Sequence, residues 1–221
     1  MSTSPHTAAE IISEITVPAS TATPSPGSAL RKPKSDIFVR MAPPAAAEDA
    51  ALVERLRGVV NLVYGETEGD IFVDGYQRVG TQEMVDIVRA GQLAVAYLAS
   101  PPRGEEAVGC MRIQALPGGA KTGELGMFAV DPAYRGGGLG RDMVAFAESH
   151  CRGALGLETM RLELLVPRGG VEHAFKKRLQ AWYERMGYAM VKLGVFQDDY
   201  PQLAPLLRGA CEYRVYEKSL S

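Results

Sequence analysis

The stretch Arg135-Gly136-Gly137-Gly138-Leu139-Gly140-Arg141 has a composition and spacing that imply chemistry. Four glycines fall within five positions, between two arginines, at the point where an apolar run (Leu125 to Val130) gives way to a helical pattern. A strand that ends in such a turn and restarts as a helix aims several unpaired backbone N–H groups at one spot, and the helix dipole adds positive potential there. A pyrophosphate suits that spot, because glycines let the backbone approach closely and arginines can add charge-assisted contacts. A second candidate is Glu163, mid-strand in Arg161-Leu162-Glu163-Leu164-Leu165-Val166. A carboxylate in so apolar a strand is costly unless it is paired or used. Alternation puts Arg161, Glu163 and Leu165 on one face and Leu162, Leu164 and Val166 on the other.

Two other nucleotide loops are excluded. A P-loop ends in Gly-Lys-Ser/Thr, and this loop has no lysine. The dinucleotide fingerprint requires glycine where Arg141 stands.

The elements that must position these residues are legible around them. The segment 36–41 reads as a short strand closed by Pro43-Pro44. Residues 47–64 carry Leu52, Leu56, Val59, Val60 and Val63 at helical spacing, and a second helix fits 81–90 with Thr81 as N-cap. Strands are expected at 93–98 and 107–113, joined by a hairpin loop at Pro101-Pro102-Arg103-Gly104, and at 124–130. Helix 139–152, strand 160–166, helix 173–186 and short strands near 188–193 and 211–217 follow. This order gives one mixed α/β sheet with helices packed on it. Residues 1–34, rich in Ser, Thr, Pro and Ala, read as a disordered tail, leaving 35–221 as the folded domain.

Composition narrows the classes. Hydrophobic residues at 46% and charged residues at 23% are those of an ordinary soluble globular protein. A net charge of −2 gives no reason to expect nucleic acid or a membrane surface as partner, so an anionic ligand has to be held by local geometry. Cys110, Cys151 and Cys211 lack C-x-x-C spacing and read as buried thiols of a reducing, cytoplasmic setting, and three scattered histidines offer no metal cluster.

The loop Arg135 to Gly140 matches the Gln/Arg-x-x-Gly-x-Gly/Ala signature of the GNAT family of N-acetyltransferases. Phe128-Ala129-Val130-Asp131-Pro132 before it and Ala181-Trp182-Tyr183-Glu184-Arg185-Met186-Gly187-Tyr188 after it also resemble that family, in order and spacing. The resemblance spans about 36 to 217. It implies an α+β fold with a single mixed, mostly antiparallel sheet of six to seven strands, flanking helices and two splayed parallel strands. It also implies acetyl transfer from acetyl-CoA to a primary amine without a metal, the acceptor being a small-molecule amine or amino acid.

By that resemblance, Phe128, Ala129 and Val130 pair with the pantetheine arm of the cofactor, and amides of Gly136, Gly137, Gly138, Leu139, Gly140 and Arg141 hold its pyrophosphate. Tyr183 occupies the position of the acid that protonates the leaving thiolate. Glu163 and Glu124 are rival candidates for the base, with an ion pair to a neighbouring basic residue as the other role for Glu163. Lys176 stands where many members carry asparagine, and Lys176-Lys177-Arg178 reads as a solvated basic face or a phosphate contact. The segment Tyr64 to Tyr76, with Glu66, Glu68, Asp70 and Asp74, reads as an acidic lip for a cationic amine or as an ordinary exposed acidic loop, and the loop 197–201 closes the other side. Transfer to protein lysines or N-termini, and a non-catalytic acyl-CoA-binding module, are the alternatives. A homodimer is the candidate assembly.

Overall fold

The structure, a computed structural model, describes residues 36–99, 104–169 and 173–221. The expected tail at 1–34 and the Pro101-Pro102-Arg103 part of the hairpin loop lie outside the described residues. Among the described residues seven strands form one sheet: β1 (Ile37–Met41), β2 (Leu93–Ala99), β3 (Glu105–Ala115), β4 (Thr122–Val130), β5 (Thr159–Pro167), β6 (Ala189–Val195) and β7 (Cys211–Ser219). They stand in the order β1-β2-β3-β4-β5-β7-β6, with β4 and β5 parallel and all other neighbours antiparallel.

Helices cover both faces. α1 (Ala50–Glu68) and α2 (Thr81–Arg89) pack on one, and α3 (Leu139–Gly153) and α4 (Ala174–Arg185) on the other. Asp49 starts α1 by accepting hydrogen bonds from the amides of Ala51 and Leu52 at 3.1 and 3.0 Å, which satisfies two donors of the open first turn. Its apolar stripe (Val53, Leu56, Val60, Val63) is buried with Val95, Met127 and Ala129 beneath it. The opposite core places Met143, Val144 and Ala147 of α3 and Leu179, Trp182 and Tyr183 of α4 on Leu125, Phe128, Leu162 and Leu164. Where α3 meets β4 the approach is too close for a side chain, since a Cβ on Gly123 would sit 2.6 Å from Cys151 Sγ.

Some expected boundaries shift. α1 runs a full turn past residue 64, so Tyr64 to Glu68 are helical rather than loop. Gly80, not Thr81, occupies the N-cap of α2, and His173 caps α4 with its side chain accepting from the Lys176 amide. A short helix, α5 (Phe196–Asp199), sits in the connection between β6 and β7.

Candidate active site

The parallel pairing of β4 and β5 is short. It runs from Thr122 opposite Thr159 to Leu125 opposite Leu162 and stops there. Beyond it β4 stays paired with β3, and β5 continues along β7 to Pro167, so the two strands diverge. Gly126 and Glu163 are the first residues on either side of the opening. A bulge lies at the same level: Cys110 pairs with Ala129 and Arg112 with Gly126, which leaves Met127 and Phe128 opposite one residue. Met127 takes a φ of 50°, a left-handed conformation that costs a side-chain-bearing residue about 1–2 kcal/mol. The facing edges of a divergent strand pair present backbone donors and acceptors that an extended ligand can satisfy. Phe128, Ala129 and Val130 form the β4 side.

At the end of that edge the glycine loop begins. Asp131 accepts from the Ala133 amide at 2.9 Å and from Arg55 of α1 at 2.6 Å, fixing the base of the loop to α1. Gly136 and Gly138 take φ values of 77° and 86°, which only glycine adopts without strain. Gly138 is the N-cap of α3 and offers no side chain to its first turn, so amides at Leu139, Gly140 and Arg141 remain for a ligand. Gly136, Gly137 and Arg141 are exposed at this end. Arg135 behaves differently from its neighbour at 141. Its Nε donates to the Val130 carbonyl at 3.1 Å and its Nη1 to Glu66 at 3.0 Å, so it braces the loop against β4 and α1. These features fit a ligand that is extended at one end and carries phosphates at the other.

Both base candidates lie on the α1/α2 side of the opening and are buried. Glu163 accepts from Arg161 and from the Tyr200 hydroxyl, each at 2.8 Å, and Tyr200 and Tyr213 are 3.1 Å apart. Burial pushes the Glu163 carboxyl above the usual carboxylate range, against the opposing pull of Tyr213, Tyr200 and Arg161. Burial and the same carboxylate raise the hydroxyls of Tyr200 and Tyr213, so both stay protonated donors. Glu124 accepts from Gln114 at 2.7 Å and lies 3.9 Å from Arg161 Nε, so one guanidinium lies between the two acids. The ion pair considered for Glu163 therefore exists, with Arg161 as its partner. Sequence reasoning missed the two tyrosines, although the loop 197–201 that holds Tyr200 is a predicted wall.

Tyr183 is fully buried on the other side, edge-on to Trp182 at 5.0 Å and to Tyr188 at 5.8 Å. It shares a core with Phe128 and Val130 of β4 and Leu162 and Leu164 of β5. The carboxylate network thus lies on one face of the sheet and Tyr183 in the core on the other.

The acidic segment is exposed at Asp70 and Asp74, whose side chains are 69% and 96% exposed, while Glu68 in the last turn of α1 is buried. Its four acids each have a partner from another element: Glu66 with Arg135, Glu68 with Lys176, Asp70 with His173 and Asp74 with Arg208. The last turn of α1 is thereby tied to the glycine loop, and the chain from 69 to 80 is strapped to the start of α4 and to the connection before β7. Lys176 corrects the expected basic face. It is buried on Glu68 as a completely enclosed ion pair, while Lys177 and Arg178 are exposed. A cavity of about 160 Å³ lies between this strap and the last turns of α1. Among the described residues no group of acidic, histidine or cysteine side chains could hold a metal ion, and no helix is long and apolar enough to cross a membrane.

Comparison with known proteins bears on the segment that holds the loop and the opening. Residues 89–190 match the model of the acetyltransferase (GNAT) domain. No curated protein matches the chain. An acetyltransferase of the GNAT family from Streptococcus pneumoniae superposes with a TM-score of 0.55 at 18% identity, covering 84% of this chain and 99% of that one. yncA from Salmonella typhimurium, solved with acetyl-CoA, gives 0.55 at 16%, covering 84% and 94%. A chain of the NatC complex bound to Gag peptide and CoA gives 0.58 at 15%, covering 84% and 99%. At these identities the likeness is one of fold. The glycine loop and the divergent parallel strands fall within the matched segment, so residues 89–190 resemble a GNAT acetyltransferase domain and the chain shares the fold of these neighbours.

Proposed function

We propose that this protein is an N-acetyltransferase that moves an acetyl group from acetyl-CoA to a primary amine of a small molecule, both being bound when the amine attacks. The observation that carries the reading is the position of Glu163, the first residue of β5 beyond its pairing with β4, at the mouth of the opening. The extended arm of the cofactor adds along Phe128 to Val130, and its phosphates meet the α3 amides and Arg141. An alkyl ammonium has a pKa of about 10, so it must lose a proton before its nitrogen can attack. Glu163, buried and raised above the usual carboxylate range, accepts that proton. Arg161 and Tyr200 hold its oxygens in place, and Glu124 sets the guanidinium of Arg161. The nitrogen bonds to the thioester carbon while a backbone N–H of β4 stabilises the charge on oxygen. The carbon–sulfur bond then breaks, the Tyr183 hydroxyl protonates the leaving sulfur, and the proton shed by the new amide nitrogen restores the phenol. The products are the acetylated amine, free thiol and one proton.

The test is release of free thiol from acetyl-CoA with a panel of small primary amines. Thiol release with the native chain, and its loss in Glu163→Gln, is the expected result. Failure to bind acetyl-CoA at millimolar concentration overturns the reading. Peptides that outcompete every free amine would transfer it to a protein acceptor.

A further inference from the structure

The cavity beside α1 is walled by Tyr64, Glu68, Phe72, Tyr76 and Arg78. Phe72 and Tyr76 stack at 4.0 Å, and the Arg78 guanidinium lies over the Tyr64 ring at 5.4 Å. Glu68 is 2% exposed; one of its oxygens takes the Lys176 ammonium and the other, Oε2, has no hydrogen-bond partner. A buried carboxylate oxygen left without a donor costs about 1–3 kcal/mol, so the cavity is incomplete until something donates to it. Arg78, 4% exposed, supplies a cation in the same wall, with Glu83 of α2 in its field. Asp74, at the rim, is already bound to Arg208.

A volume of about 160 Å³ admits a small polar group of a few non-hydrogen atoms. An α-amino-acid head has five: the ammonium nitrogen, the α-carbon and the three atoms of the carboxylate. Its charges match the wall, because guanidinium binds carboxylate through paired N–H donors and a carboxylate oxygen accepts from ammonium. The cavity also lies on the acceptor side. Tyr64 and Phe72 share a core with Met127, Ala129 and Tyr213, and Arg112 stands in the field of both Arg78 and Glu124. An ammonium held by Glu68 is protonated and is not the nucleophile, so the nitrogen that attacks belongs to another part of the molecule.

We infer that the acceptor is a diamino carboxylic acid whose zwitterionic head sits on Glu68 Oε2 and Arg78 while its side-chain amine reaches Glu163. This rests on the transferase reading given above.

The experiment compares L-lysine, L-ornithine and 2,4-diaminobutyrate with L-lysinamide, Nα-acetyl-L-lysine and 1-aminopentane as acceptors for the full chain. Removing either charge of the head should raise KM about tenfold to a hundredfold and leave kcat nearly unchanged, as expected for one charge-assisted hydrogen bond. The product should carry acetyl on the side-chain nitrogen. Arg78→Gln should abolish the preference for L-lysine over L-lysinamide, and Glu68→Gln that over Nα-acetyl-L-lysine. Equal KM across the native-chain series, or acetyl on the α-nitrogen, overturns the inference while leaving the transferase intact. If acetyl-CoA binds and no amine releases thiol, the transferase reading itself has failed. The native-chain comparison decides the matter even if neither variant folds.

Discussion

Replacing Lys176 by methionine removes one half of the most enclosed ion pair among the described residues. The two side chains are 0% and 2% exposed, so solvent does not screen the interaction. Methionine keeps much of the lysine stem and its packing, and the perturbation is therefore mainly the lost charge. Breaking a buried pair on one side strands the other charge and destabilises by about 3–5 kcal/mol. At about 2–4 °C per kcal/mol for a domain of this size, the midpoint should fall by about 6–20 °C. The penalty should depend on pH in a definite direction. Burial raises the Glu68 carboxyl, and Lys176 is the largest force opposing that rise. Without Lys176 the carboxyl moves higher, and a group raised in the folded state loses its stabilising effect as pH climbs through its folded-state value. The gap between variant and native chain should be narrow near about pH 4, where the carboxyl is protonated, and wide near neutrality. The double variant Glu68→Gln/Lys176→Met, which strands no charge, should recover most of the loss. Denaturant melts of the native chain, the single variant and the double variant at two pH values give the numbers. A single-variant loss under about 1 kcal/mol near neutrality, or a double variant no more stable than the single, refutes the assignment of an enclosed, uncompensated charge.

Tyr183→Phe should lower kcat by about a hundredfold or more while acetyl-CoA affinity, measured by calorimetry, stays within about twofold. Tyr200→Phe removes a hydrogen bond that favours the charged form of Glu163. The acidic limb of kcat/KM should then move to higher pH, and a limb that moves lower or stays fixed excludes Glu163 as the base. Burial pushes the Cys110 thiol up to about 12 and those of Cys151 and Cys211 to about 11. Native protein should thus be silent toward a thiol reagent at neutral pH, and unfolding should reveal all three groups.

Much of the site follows from local pattern. The glycine loop is legible because the turn, the absent cap and the helix start all lie within a few consecutive residues. The alternation that puts Glu163 and Leu165 opposite Leu162 and Leu164 holds in the structure, because a strand paired along one edge for its whole length keeps its period. What escapes local pattern is partnership. Tyr200 reaches Glu163 only because α5 folds the chain back between β6 and β7, and Tyr213 only because β7 pairs with β5. Glu68 and Lys176 lie 108 positions apart and each, taken alone, looks like a surface charge. The same holds for Asp74, whose partner Arg208 belongs to a connection with no periodicity of its own. Segment ends shift where tertiary contacts extend a helix, as α1 continues to Glu68 because the strap packs against its final turn.

The bulge at Met127 has a mechanical consequence. It sits at the level where β4 parts from β5, so the strained residue and the opening are one event in the backbone. A cleft made in this way is set during folding and is held apart by the sheet on either side of it. An incoming chain then meets an edge already shaped to receive it, and little binding energy is diverted to prying strands apart. Closure would require β4 to slip by one residue against β3, which would turn Phe128 and Val130 out of their core and break the ladder from Gly109 to Arg112. The cleft is therefore as durable as the fold, and relaxing residue 127 to glycine would soften its rim without erasing it.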